Sequence, residues 1–274
     1  MKHLLWFLSL FSGLAVVLIF LFLAYFSMPL ITQSGVWQLL GSVWDPPDAY
    51  GLLPMITGSL LVATLATFLA FVYALAIALM LDRMQHSGIR RVLLSFFTLM
   101  SAVPTVVYGF LGVILLLPLM RGLLGGSGMS LLSAALVLSL VVTPTILLFL
   151  HESFAHTPRS YSMIVHALGG DRVEYQMRVL LPHSSRGLSV ALVMGFGRAI
   201  GDTMIALMVA GNAVAMPDSL SESVRTLTAH IALLFAGDFD SPEFRSIFAS
   251  GILLFTFSLL MLTLIRSARH RYVA

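Results

Sequence analysis

The chain has 274 residues, of which 59% are hydrophobic, and only 15 basic and 12 acidic residues carry a formal charge. Soluble domains carry charge at about a quarter of their positions, so this composition excludes an ordinary soluble protein. The sequence contains no cysteine, which excludes disulfides, thiolate metal sites and cysteine nucleophiles.

Long uncharged runs predict six membrane-spanning helices. Each run is close to the roughly 20 residues that a helix needs to cross the hydrocarbon core with its backbone groups paired. The predicted spans are 4–26, 57–81, 92–119, 131–150, 188–211 and 246–265. A cleaved signal peptide is the alternative for the first span, but its apolar stretch exceeds the usual core of about 7–15 residues. We therefore expect this helix to be retained.

Basic residues concentrate on one side of these spans. If the N-terminus is cytoplasmic, the outer segments hold only Arg121, Arg225 and Arg245. The positive-inside rule then predicts that both termini are cytoplasmic. This layout gives a cytoplasmic loop over about 151–187 and an external loop over about 212–245. The basic residues on the inner side are Lys2, Arg83, Arg90, Arg91, Arg159, Arg172, Arg178, Arg186, Arg266, Arg269 and Arg271.

The external loop is predicted to contain a short surface helix. Ser219 and Glu222 have the spacing of a capping box. This helix either packs over the bundle or provides a docking surface. Because the sequence has no evident internal repeat, residues 1–274 are predicted to form a single membrane domain. The apolar residues that recur at helical spacing behind the cap are Leu220, Val224, Leu227, Ile231 and Leu234.

Several kinds of enzymatic chemistry are disfavoured by the sequence. The only lysine is Lys2, so the nucleotide-binding loop G-x-x-x-x-G-K-[ST] cannot be present and ATP must be hydrolysed on another chain. His151 and His156 lie about 140° apart on a helix, which disfavours a metal site. We expect this chain to bind no metal or cofactor. Ser127, within Gly125–Gly128, matches the short pattern of rhomboid-type intramembrane serine proteases, but an ordinary glycine-rich loop has the same composition.

Two charged residues fall inside the fifth predicted span. Arg198 and Asp202 lie one helical turn apart, near the middle of the membrane. A mid-membrane arginine costs about 2.5–3.5 kcal/mol on insertion scales and needs a partner, for which Asp202 is the candidate. The pair either only neutralises itself or forms an ionic site on a transport path. On the third span, Ser101, Thr105 and Tyr108 are predicted to share one helix face, beside Pro104.

The cytoplasmic loop resembles the conserved loop of ABC importer permeases. In that loop a glycine is followed thirteen residues later by a proline, as Gly169 is by Pro182 here. The family's opening Glu-Ala-Ala is replaced by Met163-Ile164-Val165. The resemblance implies a coupling helix that contacts an ATPase subunit, and we call residues 151–187 the coupling loop. The residues that it assigns to ATPase contact are Ala167, Leu168, Gly169, Gly170, Asp171, Glu174, Arg178 and Pro182.

Two further motifs are similar to the permeases of the phosphate-specific ABC importer. Residues 197–203, Gly-Arg-Ala-Ile-Gly-Asp-Thr, resemble G-R-A-I-G-E-T with Asp202 in place of glutamate. Residues 102–109 resemble the third-span motif of that family. The resemblance implies an all-α membrane protein with six transmembrane helices and the type I ABC importer permease fold. The substrate path is then expected to contain Arg198, Asp202, Thr203, Ser101, Thr105 and Tyr108.

The resemblance also implies partners and a location. It predicts a second homologous permease subunit, two cytoplasmic ATPase subunits that bind the ATP, and an extracytoplasmic phosphate-binding protein, all serving a bacterial inner membrane. The main alternative is an ion-coupled secondary transporter in which Arg198 and Asp202 form a relay. The sequence also leaves open another oxyanion as the substrate, an additional role in phosphate sensing, and the identity of the sibling permease.

Overall fold

A computed structural model describes residues 2–84 and 86–270. Arg271, which the orientation argument used, lies outside the described residues. A short antiparallel hairpin, β1 (Trp44–Asp45) and β2 (Ala49–Tyr50), follows the first helix. The helices are α1 (Lys2–Leu39), α2 (Leu53–Arg83), α3 (Ser87–Ala102), α4 (Thr105–Leu111), α5 (Leu117–Leu124), α6 (Leu131–Ala155), α7 (Arg159–Ala167), α8 (Arg172–Tyr175), α9 (Leu181–His183), α10 (Ser185–Ile200), α11 (Met204–Val209), α12 (Leu227–Leu234) and α13 (Pro242–His270), with π-helical turns at Gly112–Leu116 and Gln176–Leu180.

Membrane-length helices dominate the described part of the chain. Five helical segments are long and apolar enough to cross a bilayer: Trp6–Thr32, Leu53–Arg83, Thr105–Leu123, Leu131–Ala155 and Pro242–Met261. A sixth results if Arg172–His183 and Ser185–Ile200, which meet at a 70° bend, are counted as one span. The first, second, fourth and sixth predicted spans are confirmed within α1, α2, α6 and α13, and the non-helical backbone of α1 at Gly35 lies beyond its predicted span.

The core forms where α2, α6 and α10 pack together. An alanine stripe on α2 includes Ala66, Ala70 and Ala74, each with no exposed surface. Small side chains let helices approach closely in a membrane, where dispersion contacts replace the hydrophobic driving force. On α10, a Cβ added at Gly195 would lie 2.6 Å from the Cδ1 of Ile146 on α6. These small residues set the close spacing of the three helices.

The third predicted span is wrong as a single helix. Helix α3 ends at Ala102 and α4 begins at Thr105, with Val103 extended at φ −69° and ψ 131°. Pro104 explains the break, because a proline lacks an N–H donor and disfavours helical backbone at the preceding residue. Ser101 therefore lies on α3, whereas Thr105 and Tyr108 lie on α4, and the three do not share one helix face. The Tyr108 hydroxyl donates to the Met100 carbonyl across the break, at 2.9 Å.

The fifth predicted span is also broken. Helix α10 ends at Ile200, and α11 begins at Met204. Asp202 lies between them, and its Oδ1 accepts a hydrogen bond of 2.9 Å from the Ile205 backbone N–H. Aspartate favours such capping positions over helix interiors because its carboxylate competes for backbone donors. The sequence placed Asp202 inside a continuous helix, and its capping contact explains why the helix is interrupted there.

The helix predicted in the 212–245 loop begins later than expected, and it packs over the bundle, which is one of the two alternatives left open by the sequence. Its N-cap is Thr226, whose Oγ1 accepts from the Ala229 N–H at 3.2 Å. Glu222 instead accepts from the Asp218 N–H at 2.8 Å, within a turn. The first half of α12 is buried, including His230, whose Nε2 is 3.0 Å from the Ser246 Oγ. Burial, and to a lesser extent the nearby Arg225, lowers the pKa of His230 to about 3, so this ring is neutral at physiological pH.

Replacing Gly187 with alanine is expected to destabilise the packing of α10 on α6. A Cβ at Gly187 would overlap the Cβ and Oγ of Ser153. Overpacking of this kind costs about 1–3 kcal/mol, which lowers the midpoint of thermal unfolding by several degrees. The measurement is the unfolding midpoint of the purified chain in detergent. Gly197→Ala on the same helix is the matched control, because its Cβ would meet nothing within 4 Å. Equal midpoints for the two variants would contradict this packing.

Candidate substrate path and coupling loop

Arg198 lies near the end of α10. Its side chain is bound by a residue of α6 and not by Asp202, the partner that the sequence suggested. Arg198 is thirteen residues beyond Ser185, or about 20 Å along the helix. Its Nη1 donates to the Oγ1 of Thr145 on α6 at 2.6 Å. Arg198 and Asp202, both within the described residues, do not form an ion pair. The predicted pairing is wrong because α10 ends between them and Asp202 caps α11 instead.

Asp202 joins three helices around the break. Its carboxylate caps α11 and interacts with the Thr105 side chain at the start of α4. Its backbone carbonyl accepts a hydrogen bond of 2.9 Å from the Thr228 hydroxyl on α12. A displacement of α12 would therefore be transmitted directly to Asp202.

The other predicted path residues have different surroundings. Tyr108 lies within electrostatic reach of Arg198. Thr203 is half-buried in the break, immediately before α11, and its side chain makes no capping hydrogen bond. The Ser101 hydroxyl donates to the Thr98 carbonyl at 2.7 Å and so is engaged within its own helix. The structure brings Thr105, Tyr108, Arg198 and Asp202 together and adds Thr145, which the sequence analysis missed.

The arginine retains capacity to bind an anion. A guanidinium carries five N–H donors, and the contact with Thr145 uses one of them. The side chain is half-buried, and bonds between an ionised donor and an oxyanion are shorter and stronger than neutral ones. The site can therefore bind an oxyanion transiently while Thr145 keeps the arginine in place.

The coupling loop consists of short helical segments that are joined by a tight turn. Gly169, with φ +86°, forms the turn between α7 and α8, and Gly170 follows it. Asp171 caps α8 by accepting from the Glu174 N–H at 2.7 Å. Helix α8 therefore begins at Arg172, after a turn that uses the left-handed backbone glycine permits.

Pro182 lies in α9, near the end of the helical segment Arg172–His183. This segment meets Ser185–Ile200 at a bend of 70°.

Two parts of the coupling loop are exposed to solvent. One is the ion pair of Glu174 and Arg178, at 3.0 Å, and the other is a group of apolar side chains at the end of α7. The most exposed of these is Leu168, at 82%, next to the exposed Ala167.

A buried glutamine fastens the coupling loop to the end of α2. Gln176 has no exposed surface. Its Oε1 accepts from the Arg83 Nε at 2.7 Å, and its Nε2 donates to the Leu79 carbonyl at 2.9 Å and to the Asp82 Oδ2 at 3.0 Å. No sequence signal distinguished this residue, because its partners lie more than ninety positions away along the chain. This side chain therefore joins the loop directly to α2.

The glycine-rich segment Gly125–Gly128, which resembled a protease motif, forms a hydrogen-bonded turn. The Ser127 carbonyl accepts from Nε and Nη2 of Arg121, both at 3.2 Å. The Ser127 hydroxyl accepts from the Met129 N–H, also at 3.2 Å. His230 directs its Nε2 to Ser246. These hydrogen bonds show that Ser127 is a structural residue of the loop between α5 and α6.

The structure is a bundle of membrane-length helices. A half-buried arginine lies beside two broken helices, and a loop is fastened to α2. These features are those of a membrane transport protein. Residues 74–273 match the family described as the binding-protein-dependent transport system inner membrane component, and the chain belongs to this family. It is a permease of the ABC importer class. This membership does not favour a secondary transporter or a protease.

Individual relatives agree with this assignment. The chain is 33% identical to the "Probable ABC transporter permease protein YqgH" of Bacillus subtilis, over 83% of this chain and 75% of that protein. It is 27% identical to the "Phosphate transport system permease protein PstC" of Haemophilus influenzae, over 93% and 90% of the two chains.

Solved structures share the fold. A chain in the crystal structure of a bacterial alginate ABC transporter, in complex with an alginate-bound periplasmic protein, superposes with a TM-score of 0.67 at 13% identity. The alignment covers 98% of this chain and 95% of that chain. The predicted type I ABC importer permease fold is confirmed.

Proposed function

We propose that this permease imports inorganic phosphate, with Arg198 as the residue that compensates its charge. The observation that carries the proposal is the half-buried guanidinium held by Thr145 with most of its donors unused. An oxyanion that leaves water needs such a counter-charge, because an unpaired charge is costly in a medium of low dielectric constant. Relatives named as phosphate transport permeases support the choice of oxyanion.

Asp202 provides a physical basis for selecting phosphate. Near neutral pH, inorganic phosphate retains at least one proton, whereas sulfate has none. An ionised carboxylate offers about four acceptor positions, and the contacts with Ile205 and Thr105 leave capacity for a proton on phosphate. The carboxylate repels an oxyanion that cannot donate to it. Its charge also prevents tight retention of the anion, which is useful in a path that must release its substrate.

We further propose how the chain is assembled and oriented. Its 274 residues form one permease domain with both termini in the cytoplasm of a bacterial cell, beside a second homologous permease subunit. Two ATPase subunits hydrolyse the ATP, and this chain binds no cofactor. The exposed apolar side chains beside Gly169 and the bond network of Gln176 support the coupling loop as the ATPase contact. An extracytoplasmic phosphate-binding protein delivers the substrate on the α12 side.

Uptake by the reconstituted complex tests the function. The permease, its sibling, the ATPase subunits and the binding protein are placed in liposomes, and entry of labelled phosphate is followed. We expect uptake that requires ATP and that an excess of sulfate does not inhibit. Uptake without ATP by this chain alone would instead support a secondary transporter. Equal transport of sulfate would contradict the proposed role of Asp202.

Replacing Thr145 with valine is expected to lower phosphate uptake by about 5- to 15-fold. Valine retains the shape of threonine but cannot accept the hydrogen bond that holds Arg198, and a bond of this kind contributes about 1–1.5 kcal/mol. The matched control is Thr143→Val, two residues earlier on α6, whose hydroxyl donates to the Ser139 carbonyl instead. Uptake is measured at equal amounts of assembled complex. Equal losses in both variants would contradict a positioning role for Thr145.

A further inference from the structure

A polar cavity lies where the coupling loop meets the ends of α2 and α6. Its volume is about 260 Å³. Asp82 borders it from α2, Arg90 from α3, His151 from α6, Ser162 from α7, and Arg172 and Tyr175 from α8. None of its lining residues belongs to the substrate path. His151 lies six positions beyond Thr145 on α6, or about 9 Å further towards the coupling loop.

Positive charge predominates in this cavity. Arg90 and Arg172 contribute two guanidinium groups, and Asp82 is the acidic residue among the lining side chains. Asp82 is already engaged, because its Oδ2 accepts a hydrogen bond of 3.0 Å from Gln176. The hydroxyl groups of Ser162 and Tyr175 add neutral polar groups to the wall. Two cations thus face a cavity whose carboxylate is partly satisfied by the protein.

The two arginines are positioned with donors to spare. The Nη2 of Arg90 donates towards the His151 Nε2 at 3.4 Å. The Nη1 of Arg172 donates to the backbone carbonyl of Arg83. Each contact fixes one nitrogen of a group that has five N–H donors. The remaining donors are available to the acceptor oxygens of an anion, and arginine binds phosphate oxygens with paired donors.

We propose that this cavity binds a phosphate group, carried either by free inorganic phosphate or by the headgroup of an anionic lipid. At about 30 Å³ for each water molecule, the volume holds a phosphate group together with several waters. A bound phosphate bridges Arg90 on α3 and Arg172 on the coupling loop. It therefore holds the loop against the bundle and restrains the movement by which ATPase closure is transmitted. This site is independent of the Arg198 site and does not rest on the identity of the transported ion.

Protection of an introduced thiol tests the proposal. The chain has no cysteine, so Ser162→Cys creates the one thiol of this subunit at the cavity wall. The complete complex is placed in nanodiscs of phosphatidylcholine, and labelling of this subunit is followed during a titration with inorganic phosphate, against chloride at equal ionic strength. We expect labelling to slow along a saturation curve, by about threefold at twice the half-protecting concentration.

Matched variants separate this site from general salt effects. Arg90→Gln removes a charged donor from the cavity and is expected to raise the half-protecting concentration about 10-fold or more. Arg91→Gln, at the next position and not among the lining residues, is expected to leave it unchanged. Protection is also expected to persist in the Arg198→Gln background. Loss of protection in that background, or equal effects of the two neighbouring variants, would overturn the proposal.

The lipid composition of the nanodiscs identifies the source of the phosphate group. If the occupant is a lipid headgroup, phosphatidylglycerol slows labelling without added phosphate, and Arg90→Gln restores the rate. Ala155→Cys, another lining position, serves as a second probe if Ser162→Cys does not assemble. Thiols that react at the same rate with phosphate, with phosphatidylglycerol and with neither would overturn the proposal. A thiol at either position that does not react would also overturn it, because the cavity would then be closed.

Discussion

Replacing Arg198 with alanine is expected to lower phosphate uptake by about 10- to 100-fold in complexes that still assemble. A charged hydrogen-bond donor contributes about 1.5–3 kcal/mol, and the variant leaves the anion without its counter-charge at the half-buried site. The loss falls on transport rather than folding, because the structural contact of Arg198 is one bond to Thr145. The measurement is ATP-dependent uptake of labelled phosphate, normalised to the amount of complex recovered with the ATPase subunits.

Arg91→Ala is the control for this experiment. It removes the same charge from an exposed position at the coupling-loop end of the bundle, and we expect wild-type uptake. Asp202→Asn completes the comparison, because its amide oxygen can still accept from the Ile205 N–H while the negative charge is lost. We expect this variant to assemble and to discriminate less between phosphate and sulfate. Wild-type transport and selectivity in both assembled variants, Arg198→Ala and Asp202→Asn, would contradict the proposed path.

Replacing Gln176 with alanine is expected to uncouple ATP hydrolysis from transport. The change removes the three hydrogen bonds that Gln176 makes to the end of α2 and leaves the bond from Arg172 to the Arg83 carbonyl. A buried polar group left unsatisfied costs about 1–3 kcal/mol, which is enough to favour states in which the loop moves without α2. We expect basal ATP hydrolysis to continue, its stimulation by the loaded binding protein to disappear, and uptake to fall about 10-fold.

Two further variants make the coupling result specific. Gln38→Ala removes the same side chain from an exposed position on α1 and is expected to leave stimulation intact. Gln176→Glu retains the shape of the side chain but places a carboxylate beside Asp82, so it is expected to impair coupling as well. ATP hydrolysis is measured in proteoliposomes with and without the loaded binding protein. Full stimulation and full uptake in Gln176→Ala would exclude this side chain from the coupling pathway.

Local sequence features predicted a large part of the fold. Membrane-spanning helices satisfy their own backbone, so an uncharged run of adequate length determines a span with little reference to its neighbours. For this reason α1, α2, α6 and α13 agree with their predicted spans. The two wrong spans each contain a residue that competes with helical backbone bonding, Pro104 in one and Asp202 in the other. Both residues stand out in the sequence, but neither was expected to divide its helix.

The candidate site was predicted less completely than the fold. Arg198 and Asp202 were identified because charge is rare inside an apolar run. Their proposed pairing assumed one continuous helix, and the break between α10 and α11 directs them to Thr145 and Thr105 instead. Thr145 itself carries no distinctive local signal, since hydroxyl groups are common in membrane helices. Its importance depends on the packing of α6 against α10.

The sequence by itself determined that this protein lies in a membrane, where most of its spans run, and which two charges fall inside an apolar run. Those properties follow from composition and from contacts between near neighbours along the chain. Only the tertiary structure decided that Thr145 holds Arg198, that Gln176 fastens the coupling loop to α2, and that α12 is buried against the Asp202 break. These contacts join residues between about 26 and 97 positions apart, so they depend on which helices pack together, which no local pattern specifies.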